Sequence, residues 1–126
     1  MYGSENLKAS LHYQADTFAS SYIENLGEGA FRIVELPRSA QYSSINAILV
    51  EDYNQDGHLD ALIAGNLFTS EVETPRNDAG TGVLMLGDGK GGFQTKAFQE
   101  SGFFAYKDVK HLRKIKYNTE EFILVA

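Results

Sequence analysis

The sequence contains no cysteine, and this absence removes several kinds of chemistry at once. Disulfide bonds, thiolate metal ligands and a cysteine nucleophile are excluded. The absence of cysteine does not indicate whether the protein works in an oxidising or a reducing compartment. Basic residues are also scarce, because 11 lysines and arginines stand against 17 aspartates and glutamates, for a net charge of −6. A chain of this charge does not neutralise a phosphate backbone overall, so we expect no nucleic-acid partner.

Long apolar runs are absent as well. No stretch approaches the length that spans a bilayer, so we expect no membrane insertion. The first residues, MYGSENLKASLHYQ, lack the basic-then-apolar pattern of a secretory signal peptide. With 126 residues, of which 22% are charged and 12% aromatic, the chain suits one ordinary globular domain. Residues 1–17 are expected to form a poorly ordered terminal segment.

An internal repeat organises what is present. The stretch NLGEGAF (25–31) matches GDGKGGF (87–93) at an offset of 62 residues. Each stretch lies between two strand-like runs, which predicts a β-hairpin whose glycines adopt positive φ angles. The same offset pairs ALIA (61–64) with ILVA (123–126). We therefore expect two related units of roughly 60 residues each.

The coarse secondary structure is a succession of strands. Short apolar runs bounded by turn residues predict eight of them, near 18–24, 31–36, 45–52, 60–65, 82–87, 93–98, 109–117 and 122–126. The run VKHLRKIKY (109–117) also fits a helical spacing, so strand and helix both remain open there. The repeat region as a whole covers 18–126 and is predicted to be all-β.

An acidic loop stands out within EDYNQDGHLDALIAGN (51–66), in the form D-x-N-x-D-G-x-x-D. Crowded carboxylates repel one another, and a hard cation such as calcium removes that repulsion by taking about six to eight oxygens. Alternate positions of a tight loop point at one centre, and Gly57 permits the turn. The predicted ligands are four side chains and one backbone carbonyl: Asp52, Asn54, Asp56 and Asp60, with the carbonyl of His58.

Two alternatives compete with a calcium site. An Asx-rich turn that satisfies its own backbone would also collect aspartate and asparagine. An EF-hand would need a bidentate glutamate at the twelfth loop position, where this chain has Ile63, and its flanks would be helices. The EF-hand is therefore rejected, and the Asx-rich turn remains the competing interpretation.

The strand–loop–strand unit, followed by an x-x-Gly-x-Gly-x-Phe hairpin, resembles the FG-GAP/VCBS-type repeat of integrin-α-like β-propellers. The motif residues are most similar to those of bacterial cell-surface repeat proteins of this type, including those with ASPIC/UnbV-like regions. The resemblance covers about residues 18–126. It implies about two blades of a propeller, an incomplete ring, with a structural calcium ion held by the five residues above. In the second unit, KYNTEEFILVA (116–126), Lys116 replaces Asp52 and the loop is two residues shorter, so no second ion is expected.

Three further patterns are less specific. The G-x-G-x-x-G stretch at 87–92 precedes an extended run rather than a helix, so it is interpreted as a hairpin turn and not as a dinucleotide site. The basic run KDVKHLRKIK (107–116) is interpreted as an edge strand whose lysines discourage pairing with other chains. The long loop 68–82 could offer paired carboxylates for glycoside chemistry, although a solvated loop is commoner. Its length makes it the candidate contact surface for a partner, with four charged residues: Glu71, Glu73, Arg76 and Asp78.

These patterns predict a non-catalytic, calcium-stabilised scaffold for binding or adhesion, placed by resemblance outside the cell or in the cell envelope. The alternative is an accessory carbohydrate-binding blade region of a larger polysaccharide-acting surface protein. A calcium sensor fits less well, because a rigid strand–loop–strand unit gives little conformational response. The expected partners are an unidentified protein or glycan, and either copies of the chain or the remainder of a longer propeller, since two blades leave an apolar face uncovered at each end.

Overall fold

The computed structural model describes residue 8 and residues 10–126, and over these residues the fold is mostly β. Eight strands form three antiparallel sheets. Their bounds are β1 (Ser21–Gly27), β2 (Ala30–Glu35), β3 (Ile45–Glu51), β4 (Asp60–Gly65), β5 (Val83–Gly87), β6 (Phe93–Lys96), β7 (Leu112–Tyr117) and β8 (Glu120–Val125). A 3-10 turn covers Arg38–Gln41, and a short helix, α1, covers Phe98–Ser101.

The expectation for residues 1–17 lies partly outside the described residues, which begin with residue 8 and continue from residue 10. Residues 10–17 belong to neither helix nor strand, and their side chains are exposed. The all-β prediction is confirmed for the described part of the chain.

The open choice at 109–117 resolves in favour of a strand, although β7 begins only at Leu112. The strand predicted at 93–98 ends earlier, at Lys96, because the chain turns into α1. At the start of this helical turn the Glu100 carboxylate accepts a hydrogen bond from the Ala97 backbone N–H at 3.2 Å. Gly102 ends the turn, with a φ of 70°. A left-handed glycine is the common way to end a helix, since it has no Cβ to clash.

The central sheet has the strand order β3-β4-β5-β6, a simple meander in chain order. All six residues of β4 are buried. Side chains alternate across a strand, so Ala61 and Ile63 point to one face and Leu62 and Ala64 to the other. The first face packs in a cluster with Met85, while Ala64 packs on the second face in a cluster of Ala47, Ala64, Ala105 and Val109.

The two-stranded sheets lie against opposite faces of the central sheet. On the face of Ile63 and Met85, Tyr22 of β1 meets Phe93 edge-on, with ring centroids 5.7 Å apart. On the other face, Leu112 of β7 packs against the Ala47 and Ala64 cluster. The central sheet is therefore covered on both sides, which is why β4 is buried along its whole length.

The strand registers repeat along the chain. Each of the four residue pairs of β5–β6 has a counterpart in β1–β2 at 62 residues less, for example Leu84 with Lys96 and Tyr22 with Val34. The β7–β8 sheet is related to β3–β4 in a similar way, since Lys114 pairs with Ile123 as Val50 pairs with Ala61. The β1–β2 sheet therefore matches β5–β6 in register, and the β7–β8 sheet matches β3–β4.

Candidate metal-binding loop

The acidic loop is the connection between β3 and β4, at one end of the central sheet. Glu51 and Asp60 are the last pair of that ladder, so Asp52 leaves the sheet and Asp60 enters it at the same level. Gln55 and Gly57 have φ angles of 61° and 89°, and these left-handed residues reverse the chain between them. The sheet therefore brings both ends of the predicted ligand set together within one tight turn.

Asp60 is the anchor of this arrangement, and its side chain is fully buried at 0% exposure. One carboxylate oxygen, Oδ2, accepts the Tyr53 backbone N–H at 2.8 Å, and the other, Oδ1, accepts the Gly87 backbone N–H at 2.9 Å. The residue thus joins the start of the loop to the end of β5. The D-x-N-x-D-G-x-x-D pattern identified Asp60 as a ligand candidate, but it carried no signal for the contact with β5.

The other candidate side chains accept hydrogen bonds from the backbone of the loop. Asp52 accepts the N–H groups of Asp56 and Gly57 at 3.1 and 2.9 Å. The amide oxygen of Asn54 accepts the same Asp56 N–H at 3.1 Å, and Asp56 accepts the His58 N–H at 2.8 Å. An Asx-rich turn would form the same bonds. The hydrogen bonds therefore fit both interpretations, and the calcium ion stays a prediction.

The electrostatics of the loop favour a cation. The backbone N–H of His58, and after it the Asn54 side chain, hold the pKa of the Asp56 carboxyl below its ordinary value, so Asp56 is ionised at neutral pH. None of the ion pairs among the described residues includes Asp52, Asp56 or Asp60. Their negative charge is thus offset by backbone N–H groups and, at Asp56, by the Asn54 amide, and not by an ion pair with a lysine or arginine.

The predicted ligand atoms are of the type that a hard cation binds, although one hydrogen bond within the loop would have to be replaced. Within the described residues, no three Asp, Glu, His or Cys side chains already form a group able to hold a metal ion. The predicted set also uses an amide oxygen and a backbone carbonyl, and all five donors are oxygens, which calcium prefers. The amide nitrogen of Asn54 donates to Asp56 at 2.7 Å. An incoming ion would have to replace that bond.

A second turn lies beside the loop. The turn from Gly87 to Phe93 joins β5 to β6, which confirms the hairpin interpretation of the G-x-G-x-x-G stretch. Asp88 accepts the backbone N–H groups of Lys90 and Gly92 at 2.7 and 2.9 Å, and these bonds lower the pKa of its carboxyl. A cleft between the two turns is lined by residues of both, including Asn54, Asp56, His58 and Asp88.

The ring of His58 packs on this second turn. A Cβ added to Gly89 would lie 2.5 Å from its Nδ1, so the imidazole occupies the space that any larger residue would need. The D-x-N-x-D-G-x-x-D pattern assigns only the carbonyl of His58 to the ion, and it carries no signal for this contact of the ring. The His58 ring therefore connects the acidic loop to the neighbouring hairpin.

The long loop 68–82 stands away from the acidic loop in the sequence and has its own local order. A bridge between Leu67 and Asn77 closes its base. The Arg76 side chain pairs with Asp78 at 2.6 Å and lies over the Phe68 ring at 4.9 Å. The four candidate contact residues, Glu71, Glu73, Arg76 and Asp78, are all exposed. Their role in binding a partner stays a prediction.

Comparison of the chain with protein-family models, with curated proteins and with solved structures gave no match. Within the described residues, no helix combines the length and apolar character that crossing a membrane requires.

Proposed function

We propose that this chain forms blades of a calcium-stabilised, non-catalytic β-propeller scaffold that binds or adheres to a partner. The observation that carries the proposal is the central sheet, in which four antiparallel strands follow one another in chain order. Its first connection is the acidic loop and its last is the glycine turn, in the order expected from the FG-GAP/VCBS-type resemblance.

The neighbours of the central sheet support a stack of blades. Propeller blades are four-stranded sheets that bury their faces against adjacent blades. Here the β1–β2 sheet covers one face and the β7–β8 sheet covers the other. Their registers match the second half and the first half of the central sheet, as the ends of a preceding and a following blade would.

The ion would be held between β3 and β4. Asp52, Asn54, Asp56 and Asp60 would supply side-chain oxygens, and His58 its carbonyl. Bound calcium would offset carboxylate charge that no lysine or arginine neutralises among the described residues. Because Asp60 also bonds to the N–H of Gly87, an ion in the loop would fix the position of β5 as well as that of β4. Its effect would therefore be structural.

The binding role is assigned to the long loop 68–82. Its base is closed by the Leu67–Asn77 bridge, while its charged tip is exposed. Loops positioned by a rigid scaffold are where binding residues are commonly found. Glu71 and Glu73 at this tip favour a partner that presents basic or hydroxyl groups.

Calorimetric titration with calcium tests the proposal. The wild-type chain should bind one ion, and Asp56→Ala should abolish the binding heat, because it removes an ionised oxygen donor from the middle of the loop. Asp78→Ala is the matched control, since it removes an exposed aspartate outside the loop and should leave binding unchanged. Folded wild-type protein that binds no calcium would reject the proposal, and so would equal binding by Asp56→Ala.

A further inference from the structure

Among the described residues, six of the eight strands have one unpaired edge. Two of these six, β1 and β8, correspond in register to β5 and β4, which pair with each other in the central sheet. β1 pairs with β2 alone, and β8 pairs with β7 alone, each in a separate two-stranded sheet. A two-stranded sheet is only marginally stable by itself, and a free edge presents N–H and C=O groups to any strand that can align with it. Both edges are therefore open to a further strand.

The registers indicate which strand would fit. The β7–β8 sheet matches β3–β4, and the β1–β2 sheet matches β5–β6. In the central sheet these two halves are joined by the pairing of β4 with β5. The chain thus carries both halves of a further four-stranded sheet, at opposite faces of the central one.

We propose that β8 of one copy of this chain pairs antiparallel with β1 of a second copy, so that the two half-sheets form one four-stranded sheet. The proposal rests on the blade interpretation above. The β4–β5 ladder sets the register, since Ala61 pairs with Met85 and Leu62 with Leu84. The corresponding pairs are Ile123 with Ile23 of the second copy, and Leu124 with Tyr22 of the second copy.

The faces of the two half-sheets agree with this register. In β7–β8, Ile123 shares a face with Lys114, which bonds to Glu51 of the central sheet at 2.9 Å, so this face points inward. In β1–β2, Tyr22 points inward, and the opposite face exposes Ile23 and Ile33, at 61% and 60%. Each half-sheet therefore has one covered face and one uncovered apolar face.

Pairing would cover both uncovered faces at once. When Ile123 of the first copy lies opposite Ile23 of the second copy, the exposed Ile23 and Ile33 lie on the same face of the new sheet as Ile123. That face of β7–β8 points to the central sheet of the first copy. When Leu124 lies opposite Tyr22, the exposed Phe122 and Leu124 of the first copy lie on the same face as Tyr22. That face points to the central sheet of the second copy. A shift by one residue would reverse every side chain and lose this match. A second copy supplies a β1 edge with this register and these faces, so we take a second copy as the occupant.

The resulting contact is head-to-tail, because each copy offers one β1 edge and one β8 edge. Such heterologous contacts either close into a ring or continue as an open chain. The described residues of each copy supply the central sheet and two half-sheets, which together equal two blades. Propellers close with roughly four to eight blades, so a closed ring would contain roughly two to four copies.

Engineered cross-linking tests the pairing, and the absence of native cysteine makes the readout clean. The double variant Ile23→Cys with Ile123→Cys should form intermolecular disulfides readily under mild oxidation, because residues directly opposite in an antiparallel pair bring their Cβ atoms within bonding reach. The matched control is Ile23→Cys with Leu124→Cys, which places the second thiol on the opposite face. Equal cross-linking of the two double variants would overturn the proposal.

Light scattering of the chain without cysteine gives the second measurement. The wild type should form a closed species of two to four copies, or a larger open one, as concentration rises, and Ile23→Lys should return it to a monomer with unchanged circular dichroism. Val72→Lys, at a fully exposed aliphatic residue of the long loop, is the control and should assemble normally. A wild-type monomer at every concentration overturns the pairing, while a calcium titration that still shows one site leaves the proposed function standing.

Discussion

Strands β4 and β8 carry similar apolar runs 62 residues apart, ALIA and ILVA, but their surroundings are opposite. All six residues of β4 are buried, and none of the six residues of β8 is. β4 has strand partners on both edges and apolar cover on both faces, whereas β8 has one strand partner, β7. Burial in these two strands is therefore set by the neighbours of the strand more than by its own composition.

The connections that lead into these strands differ as well. β4 is entered through the acidic loop and begins with the buried Asp60. β8 is entered through a two-residue turn in which Asn118 has a φ of 57°, and Phe122 occupies the register position of Asp60. The β7–β8 sheet thus forms its strand pairing although Lys116 and Phe122 stand where Asp52 and Asp60 stand at the β3–β4 loop.

The largest expected effect comes from truncating the same residue type in both strands. Leu62 is 2% exposed and Leu124, its counterpart, is 52% exposed. Leu62→Ala should reduce the free energy of unfolding by about 2–5 kcal/mol, because it leaves a cavity in a packed core. Leu124→Ala should cost less than about 1 kcal/mol when copies are kept apart by dilution. Urea unfolding measures both, and equal losses would contradict the comparison.

A smaller effect is expected at two glycines of the hairpin turns. Gly27 and Gly89 are 62 residues apart and both have positive φ angles, of 87° and 69°. Alanine at either position should cost about 1 kcal/mol of stability from the left-handed backbone. Gly89→Ala should cost ~1 kcal/mol more, because the new Cβ meets the His58 ring, whereas nothing lies within 4 Å at Gly27.

A double-mutant cycle isolates that contact. In a His58→Ala background the excess cost of Gly89→Ala over Gly27→Ala should disappear, since the ring is no longer there. Thermal unfolding of the single and double variants measures it. An excess that persists without the ring would show that the hairpin itself, and not the neighbouring loop, distinguishes the two glycines.

The smallest effect concerns the two ion pairs of Lys114, one within the β7–β8 sheet and one to the central sheet. Lys114 bridges Glu121 at 2.7 Å and Glu51 at 2.9 Å, and its hydrogen bond lowers the pKa of Glu121 below the ordinary 4.5. The stability from Glu121 is therefore present above pH 4.5 and lost as the pH falls through the lower folded value. Glu121→Gln should be slightly less stable than wild type at pH 7, and the difference should shrink as the pH falls below 4.5.

The neighbouring Glu120→Gln is the control for this prediction, since Glu120 takes part in none of the ion pairs among the described residues. Urea unfolding at pH 7 and at pH 3 gives the measurement. A difference between wild type and Glu121→Gln that is the same at pH 7 and pH 3 would show that the charge pair does not contribute.

Sequence patterns went far in predicting the strands, because each strand is a short apolar run between turn residues. They located the β3–β4 loop and the two glycine hairpins for the same local reason. They missed α1, since Phe98 continues an extended run and the helical turn depends on the Glu100 contact. They also missed the bond from Gly87 to Asp60 and the packing of His58 on Gly89, because these contacts join residues 27 and 31 positions apart.

If the acidic loop holds a structural calcium ion in a blade, the thermal unfolding midpoint should be higher in calcium than in chelator. Binding to the folded state alone stabilises by about 2.7 kcal/mol at a ligand concentration of 100 times Kd, which should raise the midpoint by several degrees. Asp56→Ala should have the same midpoint in calcium and in chelator. A wild-type midpoint that does not change between calcium and chelator would contradict the account and favour a self-satisfied Asx-rich turn.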